Sequence, residues 1–391
     1  MVRFAHISDV HLGGWKQPEL QQLNLDSFRK AIEIIIKKKL DFVLIVGDLF
    51  DSAYPSIEIL KETFTEFKKL KEARIPCYIV AGSHDYSVSG KTFLDVLERA
   101  GFCINVEKFE ERENNLILHP TICGNIALYG YPGKKSSLEI PDLRRIKLND
   151  SPGLFKILML HTTLEQAKGM IPVDAIKPEE LPKVEYYALG HLHIDFRYEN
   201  FIYPGPIFPN NFQELEDLGG GSFYIIETFP STRKFSSEKI ELILKKVEPV
   251  AIKINNALTG TIKIIEELGK RNLEDKIILL RVSGQISEGK NSDIDFQKIE
   301  QFVKSKGAYF LLKNTHELES KEFELELEKE TANSEEIEEE AIKIYSDENP
   351  SDFNKTIPQL IDALNIEKQE GETTETFENK ILEGTKKIFN I

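Results

Sequence analysis

Over the first two-thirds of the chain, short apolar runs alternate with longer stretches in which apolar residues recur every three to four positions. Strands repeat every two residues and helices every 3.6, so this alternation predicts an α/β layered domain. The runs place strands over Val2–Ser8, Phe42–Val46, Cys77–Ala81, Ile126–Tyr129, Phe155–Leu160, Tyr186–Leu189 and Ser222–Glu227. Between them, Phe28, Ile32, Ile35 and Ile36 share one face of a helix over Asp26–Lys39. Leu60, Phe64, Phe67 and Leu70 do the same over Ser56–Glu72.

Near Lys246 the rhythm changes to strand (Val250–Ile254), helix (Gly260–Lys270), strand (Ile277–Val282), helix (Asp293–Lys304) and strand (Ala308–Leu312). This small α+β unit gathers no chemically capable residues, and it reads as a cap that positions substrate. A charged helix over Ser334–Tyr345 and a break at Asp347–Asp352 follow. Then come two short helical stretches: Pro358 suits a first helical position, with Leu360, Ile361 and Leu364 behind it, and the last pairs Phe377 with Ile381 and continues to Ile388. Segments this short rarely stand alone in water, so they dock on a partner or fold back on the parent domain. The expected division is 1–245, 246–330 and 331–391.

Five of the predicted strands end in residues that bind metals or move protons: Asp9-Val10-His11, Gly47-Asp48, Gly82-Ser83-His84-Asp85, His161 and Gly190-His191-Leu192-His193. Loops beyond the carboxyl ends of strands in α/β sheets converge on one crevice, so these clusters can meet. Five of the 8 histidines fall there, which scattered packing histidines would not do. Imidazoles and carboxylates suit Mn²⁺, Fe²⁺ or Zn²⁺, and a pair of such ions can clamp a phosphate. Asp48 is the natural bridge, because its two oxygens can each hold one ion.

The order D-x-H, G-D, G-x-H-D, lone His, G-H-x-H resembles the calcineurin-like metallophosphoesterase signature. Within it, His6-Ile7-Ser8-Asp9-Val10-His11-Leu12-Gly13, Gly47-Asp48-Leu49-Phe50-Asp51, Gly190-His191-Leu192-His193 and Tyr203-Pro204-Gly205-Pro206 through Phe212-x-Glu214 are similar to the SbcD, or Mre-eleven, DNA double-strand-break repair nucleases. The likeness covers about residues 1–230. It implies an α/β, four-layer metallophosphoesterase β-sandwich flanked by helices, with a small α+β capping domain and C-terminal helices. It also implies two divalent ions, most naturally Mn²⁺, the first held by Asp9, His11, Asp48 and His193, the second by Asp48, Ser83, His161 and His191. His84 would act on the scissile phosphate or protonate the leaving group, and Asp85 would orient it. The family usually carries Asn where this chain has Ser83, a shorter and weaker neutral ligand. Asp51, where some members carry His, reads as a support for the ligands or a helix cap.

The resemblance further implies 3′–5′ double-strand exonuclease and single-strand endonuclease activity, a homodimer, and an SbcC, or Rad-fifty, ATPase partner met through the C-terminal helices. Two other readings compete: the same fold acting on a small phosphodiester, nucleotide or phosphoprotein, and a DNA-end-binding scaffold with weakened catalysis, motivated by Ser83.

Composition alters this picture in few places. The net charge of −15 looks hostile to DNA, yet Glu317 to Glu348 alone carries −11, so a basic path elsewhere is not excluded. Trp15 and Lys16 follow the first motif and could stack on a base and touch a phosphate, against the plainer reading of a solvated loop. Lys134-Lys135 and Arg144-Arg145 face the same choice. His6 is expected in the core, His119 and His316 on the surface or in packing, and Asp195 in solvent. Cys77, Cys103 and Cys123 lack C-x-x-C spacing, so neither a disulfide framework nor a zinc ribbon is expected. No apolar run approaches the ~20 residues that span a bilayer, and the first residues read as a strand rather than a signal peptide, which predicts a cytoplasmic protein without membrane contact.

Overall fold

The computed structural model describes residues 1–320 except 88, 89, 91, 171 and 230, and beyond them 354, 356–364, 366 and 374–389. Two six-stranded sheets organise the first part of the chain. In one, the strands Val2–Ile7, Phe42–Val46, Cys77–Val80 and Ile104–Asn105 run parallel, and Gly221–Phe229 and Lys234–Leu242 add antiparallel at the edge. In the other, Ile126–Tyr131, Phe155–His161, Tyr186–Gly190 and Phe201–Pro204 run parallel between two antiparallel edge strands.

Strand alternation sorts the side chains between layers. Phe4, Phe42, Leu44, Val46, Tyr78 and Val80 face Ile126, Leu128, Phe155, Ile157, Met159 and Tyr186 of the second sheet, closing the sandwich. Their sequence neighbours Ala5, Ile7, Val43, Ile45 and Ile79 turn to the opposite face, against Phe28, Ile32 and Ile35 of the helix Pro18–Lys38 and Phe67 and Leu70 of the helix Ile57–Glu72. Burying each such side chain contributes about 1.5–3 kcal/mol. Ser56 caps the second helix, its Oγ accepting from the Ile59 amide at 3.3 Å. The first helix starts at Pro18 rather than Asp26. Its early apolar residues, Leu20 and Leu23, leave the sheet-facing stripe because they pack elsewhere.

Their partners belong to the smaller sheet of Lys246–Lys253, Lys276–Ile286, Phe310–Asn314 and Leu318–Ser320. Ile277 and Leu279 from this sheet join Leu20, Leu23, Trp15, Phe208 and Leu215 in one apolar seam. Arg281 pairs with Glu216 at 2.6 Å across it. The residues expected as a cap thus lie with the sandwich in one compact unit, Met1–Lys321. Glu322–Ile391 form a second unit, in which the helices Ile357–Leu364 and Thr374–Phe389 lie against each other. The helix expected over Ser334–Tyr345 and most of the acidic run fall outside the described residues.

His6 is fully buried, with Nδ1 2.7 Å from the Tyr186 hydroxyl and Nε2 3.1 Å from the Leu189 carbonyl. The three cysteines are free, with Cys77 and Cys103 buried. No helix among the described residues is long and apolar enough to cross a membrane.

Candidate metal centre

The parallel strands Val2–Ile7, Phe42–Val46 and Cys77–Val80 of one sheet and Phe155–His161 and Tyr186–Gly190 of the other carry their terminal loops to a common rim. Backbone bonds knit those loops: the amides of Asp9 and His11 donate to the carbonyls of Gly47 and Asp48 at 3.2 and 2.9 Å. Asp9, His11, Asp48 and His191 all adopt positive φ, at 51°, 46°, 49° and 98°. For L-residues with side chains this conformation is strained, and strain gathered at one rim marks a site that the surrounding fold holds in place.

Several of the motif side chains converge. Ligand atoms of Asp9, His11 and His193 lie within 4.8 Å of one another, as do those of Asp9, Asp48 and His161, and those of His11, Asp48 and His84. Asp48 borders both His161, whose Nε2 is 3.0 Å from its Oδ2, and His11, at 3.6 Å. Asp9 is fixed by the Ser8 hydroxyl at 2.5 Å and the His191 amide at 2.9 Å, and Asp48 Oδ1 accepts from the His84 amide at 2.8 Å. Ser83 sits buried in the same turn as His84, and the His191 ring meets His161 edge-on, with centroids 5.1 Å apart.

Three imidazoles are oriented by oxygens that can only accept. Nδ1 of His11 meets the Asp51 carboxylate at 3.1 Å, Nδ1 of His161 the Val46 carbonyl at 3.0 Å, and Nδ1 of His193 the Glu214 carboxylate at 2.9 Å. Each Nδ1 therefore carries the proton, and each Nε2 turns a lone pair inward, the arrangement metal-binding histidines adopt. Nε2 of His11 and His193 then face one another at 3.0 Å, an approach that needs a shared proton or a metal cation between the two nitrogens. Nε2 of His161 is buried, is not aligned to hydrogen-bond Asp48, and has no other partner. An orphaned nitrogen, inward-facing imidazole nitrogens and adjacent carboxylates fit divalent cations.

Electrostatics points the same way. Burial works against a charged imidazole at His161, yet Asp48 and Asp9 hold its pKa up to about 10. At His193 burial again opposes charge, and Glu214 and Asp9 raise the value to about 9. Burial would push the Asp48 carboxyl up, but His161 and His11 draw it well below the usual carboxylate range. A rim that favours positive charge so strongly is matched by cations in place of protons.

His84 stands exposed at the edge of the cluster, its ring edge-on to His11 at 4.9 Å and its Nδ1 2.9 Å from the Asp51 backbone carbonyl. Asp85 does not orient it, contrary to expectation. Its buried carboxylate instead accepts from the amides of Gly82, Leu49 and Phe50, tying the second motif loop to the third. Burial and the Asp48 charge lift its pKa to about 7. Asp51 supports His11 and caps no helix among the described residues.

Trp15 does not border the site. It is 7% exposed, its indole N–H donates to the Pro209 carbonyl at 2.9 Å, and its ring fills the seam beneath the small sheet, so no face is left for a base. Lys16 is exposed. Lys134 and Arg145 share Asp142, and Arg144 pairs with Glu180 at 3.2 Å, so three of the four basic side chains are already balanced. His119 is half-buried, His316 is exposed, and Asp195, though exposed, pairs with Lys239 at 2.8 Å.

Glu214 is the functional residue that motif spacing missed as such. It was legible only as the end of the Phe212-x-Glu214 stretch, and Asn211 caps that short helix so that Glu214 faces His193. Glu214→Ala is expected to weaken binding of the cation at Asp9, His11 and His193 by about 10–100-fold. Calorimetric titration with Mn²⁺ reads this directly, and two undisturbed binding events would dismiss the role.

Residues 2–195 match the calcineurin-like phosphoesterase family. The DNA double-strand break repair protein Mre11 of Methanocaldococcus jannaschii is 32% identical over 67% of this chain and 73% of its own length. The metallophosphoesterase YhaO of Bacillus subtilis is 25% identical over 68% of this chain and 66% of its own. An Mre11 protein of Methanosarcina mazei is 28% identical over 78% of this chain and 48% of its own.

Proposed function

The chain belongs to the Mre11 branch of the calcineurin-like phosphoesterases and is a metal-dependent phosphodiesterase, and from that premise we propose that it is a Mn²⁺-dependent nuclease acting on DNA ends. The observation that carries this reading is the set of inward-facing Nε2 atoms around Asp9 and Asp48, held at the rim by Asp51, Val46 and Glu214. Asp9, His11, Asp48 and His193 hold one cation, and Asp48, Ser83, His161 and His191 the other. When bound, such a pair clamps a phosphate and acidifies a water. The protein's own part is to keep Asp48 ionised between the two halves and to hold the imidazoles in one tautomer. His84, with its Nδ1 proton engaged by the Asp51 carbonyl, presents Nε2 outward to the phosphate or the leaving oxygen.

The activity proposed is 3′–5′ exonuclease on duplex ends and endonuclease on single strands. Purified protein with Mn²⁺ is expected to degrade linear duplex and circular single-stranded DNA. Turnover of bis-p-nitrophenyl phosphate with neither DNA cut would overturn the substrate while leaving the phosphodiesterase. Ser83→Asn, supplying a longer amide oxygen, is expected to tighten the second cation. An unchanged Mn²⁺ titration would count against Ser83 as a ligand.

Two partnerships belong to the same proposal. Homodimer contact through the helix Ile57–Glu72 is supported by Tyr54 and Ile57, which stand 72% and 80% exposed at its start. Contact with an SMC-like ATPase of the SbcC or Rad50 type through the C-terminal helices is supported by the apolar Leu364 and Leu382 left exposed there. Truncation at Glu330 is expected to abolish ATPase binding, and retained binding would remove those helices from the interface. The protein would work in the cytoplasm.

A further inference from the structure

A cavity of about 750 Å³ opens beside the metal centre, and the function proposed above gives it no role. Ser83 forms part of its wall, and so does Gly133, which packs so closely on His161 that an added Cβ would come within 2.5 Å of the ring. The cavity thus begins where the Asp48, Ser83 and His161 half of the metal centre ends, and it lies within the range of ~300–1,000 Å³ typical of small-molecule sites.

Its surface is mainly apolar and aromatic. Phe109 and Leu138 line it while standing 43% and 65% exposed, and the Phe109 ring tilts at 50° over Tyr131 with centroids 5.1 Å apart. Several of the polar side chains in the wall are already engaged. Asp142 accepts from the Tyr131 hydroxyl, Lys134 and Arg145, and Tyr86 donates to Glu107. Such a wall offers flat apolar contact and little to read hydrogen-bonding edges. Lys135, exposed on the same lining, makes no ion pair among the described residues.

We propose that this cavity receives an unstacked nucleobase of the strand being cut, the base borne by the nucleotide next to the scissile phosphate, with Phe109 and Leu138 as its platform and Lys135 meeting the backbone phosphate. The inference rests on the nuclease reading. An occupant tethered to a phosphate at the metals, with a flat apolar face, is a nucleobase, and a mainly apolar wall whose Tyr86, Tyr131 and Asp142 are already engaged accepts any of the four. Base-on-aromatic stacking of this kind is worth about tenfold or more in binding per base and tolerates sequence.

The test couples the base to the platform. Full-length protein with Mn²⁺ is given oligonucleotides whose nucleotide flanking the cut carries a base or is a tetrahydrofuran abasic analogue. Binding of the same fluorescein-labelled strands is followed by anisotropy in EDTA. The wild type is expected to favour the base-bearing strand by about tenfold in both readouts. Phe109→Ala and, separately, Leu138→Ser are expected to bring that ratio towards one, a comparison made within each variant and so insensitive to overall losses. A wild type that cuts both strands equally, or variants that keep the preference, would overturn the pocket and leave the nuclease intact. Turnover of bis-p-nitrophenyl phosphate by the wild type with no strand cut would overturn the nuclease reading and the pocket with it.

Discussion

His84→Ala is expected to lower kcat on DNA and on bis-p-nitrophenyl phosphate by about 10²–10⁴-fold while the proposed cations stay bound. The first half follows from the exposed imidazole at the edge of the cluster, oriented through Nδ1 by the Asp51 carbonyl and edge-on to His11. The second follows from the backbone, since the tie from residue 84 to the Asp48 carboxylate runs through the amide and survives loss of the ring. Steady-state rates and metal content measured on the same preparation check it. A loss below threefold would make His84 a bystander, and loss of a cation would make it a ligand.

Gly47→Ala is expected to be nearly as severe, although residue 47 has no side chain to contribute. Its φ of +81° lies in the left-handed region, where an added Cβ costs about 1–2 kcal/mol. That Cβ would stand 2.0 Å from Nδ1 of His161, so the imidazole must leave the Val46 carbonyl that aligns it. Displacing a group at a reaction centre by about 1 Å can cost roughly 10²-fold in rate. The expected result is a fall of that order in kcat with Mn²⁺ stoichiometry reduced from two to one. A variant that keeps two cations and full activity would show that the His161 ring tolerates the push.

The strand ends were legible because each needs only local information: an apolar run of period two, then a ligand. Asp9, Asp48, His161 and His191 are gathered at the rim. Partners that act from a distance were not legible. Glu214 meets His193 from a helix 21 positions on, and although Asp51 was read as a support for the ligands, nothing in its spacing named His11, 40 positions away, as its partner. Asp85 follows His84 directly, which invited the reading that one orients the other, but the turn sends its carboxylate back to the amides of residues 49 and 50. Trp15 misled for a similar reason. An aromatic beside a lysine in a loop looks solvent-facing, and what covers it, including Ile277 and Leu279, arrives more than 250 residues later. The same burial links the first ligand loop to the small sheet. The edge strands of the second sheet, such as Asp195–Tyr198 and Thr121–Cys123, escaped notice because half-exposed strands carry a weak apolar signal.

The proposed pair of cations depends on Asp48 as its bridge. Equilibrium dialysis against Mn²⁺ followed by elemental analysis should find two ions per chain in the wild type and fewer in Asp48→Asn, with phosphodiesterase activity lost in step. A single ion or none at saturation in an active wild type, or an Asp48→Asn protein that keeps both ions, would contradict it.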